Sequence, residues 1–164
     1  MKSSKRLDFI RDKTEQQLNE LWKNCFEGAE NLSHINGHAP YPITIQQQLN
    51  TFLTADSYHQ SWLIQRNGQK DIIGFIVHGD YLPGKPNNIG FSIGLDYIRN
   101  GYASESLNQL LLYLKGNGFS ETFGHCYDGN IPSIKTMEAC GFKNLGKTGN
   151  QFDGHYEVKF KKEL

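Results

Sequence analysis

Charge of one sign, cysteine and long apolar runs are all scarce in this chain, and each shortage narrows the range of functions. Lys plus Arg number 17 and Asp plus Glu number 17 in 164 residues, so the formal net charge is zero with neutral histidines. No long-range cationic field exists to recruit nucleic acid or an anionic membrane, and neither is an expected partner. The longest apolar stretch, Ile72 to Val77, is far too short to span a bilayer. Three cysteines, Cys25, Cys126 and Cys140, form an odd, widely spaced set without C-x-x-C. Reduced thiols fit that set better than a disulfide framework or a zinc site. His34 and His38 stand four apart in a Gly/Pro-rich segment without a third ligand, so no metal is expected and a substrate-facing loop or the surface is their simplest place. The basic start, Met1 to Arg6, runs into acidic and polar residues rather than a signal-peptide apolar core, which points to the cytoplasm. No linker, repeat or low-complexity tract divides the chain, and residues 1–164 are expected to form one domain.

What is present is periodic. Arg6 to Ile10 reads as a short strand. From Thr14, an N-cap, the spacing Leu18, Leu21, Trp22, Cys25 and Phe26 marks one face of a helix. The pattern breaks over Glu27 to Pro42 and resumes at helical spacing from Ile43 to Leu53. Ser57 to Arg66 and Asp71 to His78 read as strands joined by the Asn67-Gly68 turn, the second apolar enough for burial on both faces. Tyr81 to Asn87 is a loop and Asn88 to Leu95 a strand. Ala103 to Gly116 is the clearest helix, with Ala103, Leu107, Leu110, Leu111 and Leu114 facing inward and Gly116-Asn117-Gly118 ending it. Phe119 to Tyr127 reads as a strand, Ile131 to Cys140 as a helix, and Phe142 to Lys147 with Phe152 to Lys161 as a hairpin around Thr148-Gly149-Asn150. The order is that of a mixed α/β layer structure.

The stretch from Asn88 to Phe142 carries the chemistry. A strand leads through Arg99-Asn100-Gly101-Tyr102-Ala103-Ser104 into a helix, and a second helix opens at Asn130-Ile131-Pro132-Ser133. The first backbone N–H groups of a helix have no helical acceptor. Together with the positive end of the helix dipole they form a site for a phosphate or pyrophosphate.

With these residues in view, the chain resembles the GCN5-related N-acetyltransferase (GNAT) superfamily, and within it the branch that acetylates N-terminal amines of ribosomal proteins and related small substrates. The likeness rests on Ile89-Gly90-Phe91-Ser92-Ile93, on Gly101-Tyr102-Ala103-Ser104-Glu105-Ser106-Leu107, and on Asn130-Ile131-Pro132-Ser133-Ile134 continuing through Glu138 to Gly141-Phe142. It implies a GNAT fold: a central, mostly antiparallel twisted sheet, splayed at the cofactor site and flanked by helices. It also implies acetyl-CoA as acyl donor, an amine acceptor (a peptide N-terminus or a small amine), and a monomer or homodimer. In that family backbone groups of Phe91 and Ile93 would bond the pantetheine arm as an added strand. Backbone N–H groups from Arg99, Asn100, Gly101, Tyr102, Ala103 and Ser104 would hold the pyrophosphate, Asn130 would contact the pantetheine, and Ser133 would donate to the departing thiolate.

Two departures from the family pattern matter. Ile98 stands where an Arg or Gln usually opens the phosphate loop, and Arg99 beside it is the nearest substitute cation in sequence. Met137 stands where many members place a tyrosine general acid; the branch matched here often lacks that tyrosine and relies on the serine. Asn88 occupies a strand position where some relatives carry a glutamate base, which leaves a water chain, an acid from the Glu27 to Pro42 loop, or an amine that arrives neutral. Taken singly, Gly101 to Ala103 would be an ordinary turn and helix start, Ser133 a first-turn serine bonding its own backbone, and Cys126 a small buried strand residue rather than a nucleophile. The function implied is transfer of an acetyl group to a primary amine by direct attack on the thioester. The alternative is a catalytically impaired, coenzyme A-binding sensor or interaction module.

Overall fold

The computed structural model describes residues 1–31, 43–55 and 59–164. A single seven-stranded sheet runs in the order β1-β2-β3-β4-β5-β7-β6. Its strands are β1 (Leu7–Ile10), β2 (His59–Arg66), β3 (Ile72–Gly79), β4 (Asn88–Ile93), β5 (Glu121–Tyr127), β6 (Lys143–Phe152) and β7 (His155–Glu163). Every neighbouring pair is antiparallel except β4 with β5. Among the described residues the helices include α1 (Glu15–Cys25), α2 (Gln46–Thr54), α3 (Tyr102–Gly116) and α4 (Ile131–Ala139), with a 3-10 turn at Leu95–Tyr97. This is the mixed, mostly antiparallel, helix-flanked sheet that the sequence implies.

Two apolar layers form, one on each face. Leu18, Leu21, Cys25 and Phe26 from α1 and Leu49 and Leu53 from α2 pack on Leu63, Ile72, Phe75 and Val77. On the opposite face Leu107, Leu110, Leu111 and Leu114 of α3 and Met137 of α4 pack on Trp62, Ile64, Ile76, Ile89, Val158 and Phe160. β3 lies between both layers, and its first seven residues are buried, as its unbroken apolar run requires.

The two halves of the sheet meet over a short contact. β4 and β5 pair only at Asn88 with Phe123 and Ile89 with Gly124. Beyond that point β4 continues beside β3 to Ile93, and β5 beside β7 to Tyr127. The sheet therefore splits into a V whose apex lies at Ile89 and Gly124.

Two boundaries differ from the sequence reading. The last hairpin turns at Asp153-Gly154, not at Thr148-Gly149-Asn150. Asp153 and Gly154 both take positive φ, 48° and 77°. Two such residues in succession suit a tight hairpin turn whose twist matches that of the strands. Thr148 to Asn150 instead form a bulge in β6, where the register slips between Lys147 and Gln151. Strand β4 also ends earlier than expected, at Ile93, because the chain turns into the 3-10 segment at Leu95.

Candidate active site

The V between β4 and β5 exposes backbone that the sheet elsewhere consumes. Gly94 N–H donates to the Ile73 carbonyl at 2.9 Å, across to β3. Main-chain groups of successive strand residues point to alternate sides, so Phe91 and Ile93 direct theirs away from β3 and into the V. The same count on β5 starts from Phe123 N–H, which donates to the Asn87 carbonyl at 3.0 Å. It directs the carbonyl of His125 into the cleft as well, past the last pair of the ladder. A free strand edge of this kind accepts an extended ligand as an additional strand.

The loop that follows β4 opens α3 without a side-chain cap. Gly101 is the N-cap, at φ 77° and ψ 6°, and no side chain bonds the first turn there. The first intrahelical bond runs from Glu105 N–H to the Gly101 carbonyl at 3.0 Å. Helix geometry therefore leaves the N–H groups of Tyr102, Ala103 and Ser104 without a helical acceptor. Arg99 also takes positive φ, 62°. Asn100 holds the bend, its side-chain amide donating to the Tyr97 and Ile98 carbonyls at 3.2 and 3.0 Å. Left-handed residues flanking a turn concentrate N–H groups in a concavity suited to an anion. These residues fit a pyrophosphate, and the free edge of β4 fits the arm that would extend from it.

An arginine from elsewhere in the fold braces this loop. Ile98 packs against the core, and Arg99 is exposed. Arg6, just before β1, reaches the loop instead. Its Nη1 donates to the Asn100 carbonyl at 3.0 Å, its Nε donates to Glu105 at 2.7 Å, and its Nη2 pairs with the same carboxylate at 2.6 Å. The guanidinium lies 4.9 Å from the centre of the Tyr102 ring, a cation–π contact. Burial pushes the Glu105 carboxyl up, but hydrogen bonds from Ser4 and Arg6 outweigh it and hold its pKa below the usual range. Nothing in the spacing of the motif signals this contact, because 94 residues separate Arg6 from Asn100.

Asn130 caps α4: its side-chain oxygen accepts from Ser133 N–H at 3.2 Å, leaving its amide N–H groups for other partners. Ser133 is half-buried in the first turn of that helix. Met137, at the family's tyrosine position, is a core residue, its sulfur occupying the space that Gly124 leaves by having no side chain. Cys126 is buried, and burial pushes its thiol up to about 12, so it is not a thiolate nucleophile at neutral pH.

On the α1/α2 side of the apex sits a polar group that motif reading missed. Asn88 is buried and donates from Nδ2 to the Tyr81 hydroxyl at 2.9 Å and to the Ile89 carbonyl at 3.2 Å. Its Oδ1 stands 2.7 Å from His125 Nδ1. Beyond it, Glu157 is buried and ion-paired with Lys85, and accepts hydrogen bonds from Thr148 at 2.7 Å and Asn150 at 3.0 Å. Alternation along β5 could have shown that His125 faces opposite to Cys126; the partners, from three other segments, could not have been read. His34 and His38 lie outside the described residues, as does most of the Glu27 to Pro42 loop. Among the described residues no group of three or more His, Cys, Asp or Glu could hold a metal, and no helix is long and apolar enough to cross a membrane.

Solved structures share this fold. No curated protein matches the chain in sequence. An acetyltransferase (GNAT family) from Bacillus anthracis superposes with a TM-score of 0.80 at 18% identity, covering 98% of this chain and 96% of that one. The acetyl transferase that modifies the N-terminal serine of ribosomal protein L7/L12 in Salmonella typhimurium gives 0.80 at 17% identity, with coverage of 98% and 96%. A ribosomal L7/L12 alpha-N-protein acetyltransferase in complex with coenzyme A gives 0.77 at 19%, again covering 98% and 96%. At such identities the likeness is one of fold. The family model for the acetyltransferase (GNAT) domain matches residues 10–143, a span that contains the V, the Arg99 to Ser104 loop and the start of α4, and the chain belongs to that family.

Proposed function

We propose that the chain is an acetyl-CoA-dependent N-acetyltransferase acting on a primary amine, either a protein N-terminus or a small amine. One observation carries the reading: an uncapped helix N-terminus with a left-handed glycine lies directly after a strand whose free edge borders the V. Phosphates at Gly101 to Ser104 and a pantetheine beside Phe91 and Ile93 would be held chiefly by main-chain groups. Asn130 contributes its free amide donors at the far wall of the cleft. The coenzyme A complex of one structural relative supports the same cofactor for this chain.

The arrangement suits direct transfer. The thioester is already activated, so catalysis consists of alignment, a donor for the carbonyl oxygen as it gains charge, and proton movement. A main-chain N–H of the free β4 edge is the oxyanion donor, and the Ser133 hydroxyl donates to the leaving sulfur. Acetylation of an N-terminal serine by one structural relative makes peptide N-termini the first acceptors to try. The free cysteines Cys25, Cys126 and Cys140 suit a cytoplasmic enzyme.

Calorimetric titration with acetyl-CoA, on the native chain and on Gly101→Glu, tests the reading. Micromolar binding that the substitution abolishes is expected. A native chain that binds no acetyl-CoA refutes it. Binding without transfer to any amine favours the sensor reading instead.

A further inference from the structure

The sequence motifs contain no base, and the apex of the V holds a histidine set up for that work. His125 is the first β5 residue past the last paired position, Gly124, and its side chain lies on the sheet face opposite the Cys126 and Met137 core. Gly90, the matching first residue of β4, makes room for Tyr81 at the apex: a Cβ there would stand 2.5 Å from the Tyr81 hydroxyl.

The hydrogen-bond network decides which imidazole nitrogen carries the proton. The Ile89 carbonyl can only accept, so the Asn88 atom beside it is Nδ2, a donor. The amide oxygen is thereby turned to His125, and Nδ1 must be the protonated nitrogen that donates to it. Nε2 keeps its lone pair, and no described residue bonds it. Tyr81, whose hydroxyl accepts from the other amide hydrogen, holds Asn88 in place. The charged groups around the imidazole are Lys85 from the β3–β4 connection and Glu157 and Lys159 from β7. Lys85 and Glu157 pair with each other, which leaves the surroundings without a net negative charge to recruit a proton to the ring.

We infer that His125 is the proton acceptor for the attacking amine, held in the Nδ1–H tautomer by Asn88 and Tyr81 with Nε2 turned to the acceptor. As the amine nitrogen bonds the acetyl carbon, its N–H proton passes to Nε2. The electron pair of the C–S bond leaves on sulfur, and the imidazolium returns its proton to give the free thiol. Amine and thioester thus become amide and thiol, and the histidine is unchanged. Burial, with Lys85 next, pulls the His125 pKa down to about 4, so the ring is neutral throughout the physiological range. Such a base is too weak to strip a free ammonium, but a nitrogen already bonding to carbon is far more acidic, and there it suffices. The assignment rests on the acetyltransferase reading above.

Long-range 1H–15N correlation spectra of the 15N-histidine-labelled chain read the tautomer directly. A protonated Nδ1 and bare Nε2 at pH 7 are expected; the reverse tautomer overturns the assignment. Acetyl transfer is then measured with an N-terminal-serine hexapeptide, spermidine and kanamycin, beside calorimetry with acetyl-CoA. His125→Ala should bind acetyl-CoA like the native chain, lose about 100-fold in kcat and recover part of it with added imidazole. His125→Asn, which keeps a donor toward Asn88 but lacks the Nε2 acceptor, should lose as much; it replaces the alanine variant if that does not fold. Undiminished turnover in these variants overturns the role of His125 alone, as does the absence of imidazole rescue or native binding without transfer to any probe. No acetyl-CoA binding by the native chain instead removes the reading on which the inference stands.

Discussion

Helices α1 and α3 begin in opposite ways. At α1 the chain satisfies its own terminus: Gln17 N–H donates to the Thr14 hydroxyl oxygen at 3.2 Å, and Thr14 N–H donates to the Gln17 side chain at 3.0 Å. This reciprocal capping box spends the orphan donors on structure. At α3 a left-handed glycine opens the helix and no side chain bonds the first turn. The loop there is shaped by Arg6 and Asn100, which bond its carbonyls and leave the N–H groups open. A terminus that satisfies itself holds the fold together, whereas one braced from outside but left uncapped is available to a ligand.

The contrast can be broken from either end. Gly101→Glu is expected to produce the largest change, weakening acetyl-CoA binding at least 100-fold, or about 2.7 kcal/mol, in calorimetry. Charge repulsion by the new carboxylate and the strain of a side chain at φ 77° act together there. Arg6→Gln should weaken binding about tenfold while leaving Nδ1 of His125 protonated, because it loosens the loop and not the apex. Equal affinity in that variant would show that Asn100 alone holds the bend. Thr14→Ala should cost about 1 kcal/mol of stability in urea denaturation and leave acetyl-CoA affinity unchanged. A loss of affinity there would erase the distinction between the two helix starts.

A smaller effect follows from the buried histidines. Burial lowers His78 to about 4, against the opposing pull of Asp80, and His125 to about 4 as well, from an ordinary 6.5. Between those values the unfolded chain binds protons that the folded chain does not, so stability falls as pH drops from about 6.5 to about 4. The urea midpoint should decline over that window, and His78→Phe should flatten the decline. A midpoint independent of pH in the native chain contradicts the burial argument.

Local pattern reached far into this fold. The leucines of α3 repeat at helical spacing, the unbroken run of β3 announces burial on both faces, and the glycine motif marks the turn that opens α3, because periodicity and turn chemistry act between near neighbours. The hairpin between β6 and β7 was misread because Thr148-Gly149-Asn150 and Asp153-Gly154 both carry turn residues. Only pairing with β7 makes the first a bulge, from which Thr148 and Asn150 bond Glu157. Sequence alone therefore determined the elements, their order, the family and the uncapped start of α3. The tertiary structure decided where the sheet splits, that Arg6 rather than Arg99 braces the loop, and that Asn88 and Tyr81 orient His125. Those contacts join residues tens of positions apart, and their geometry exists only after the two halves of the sheet have packed on their helices.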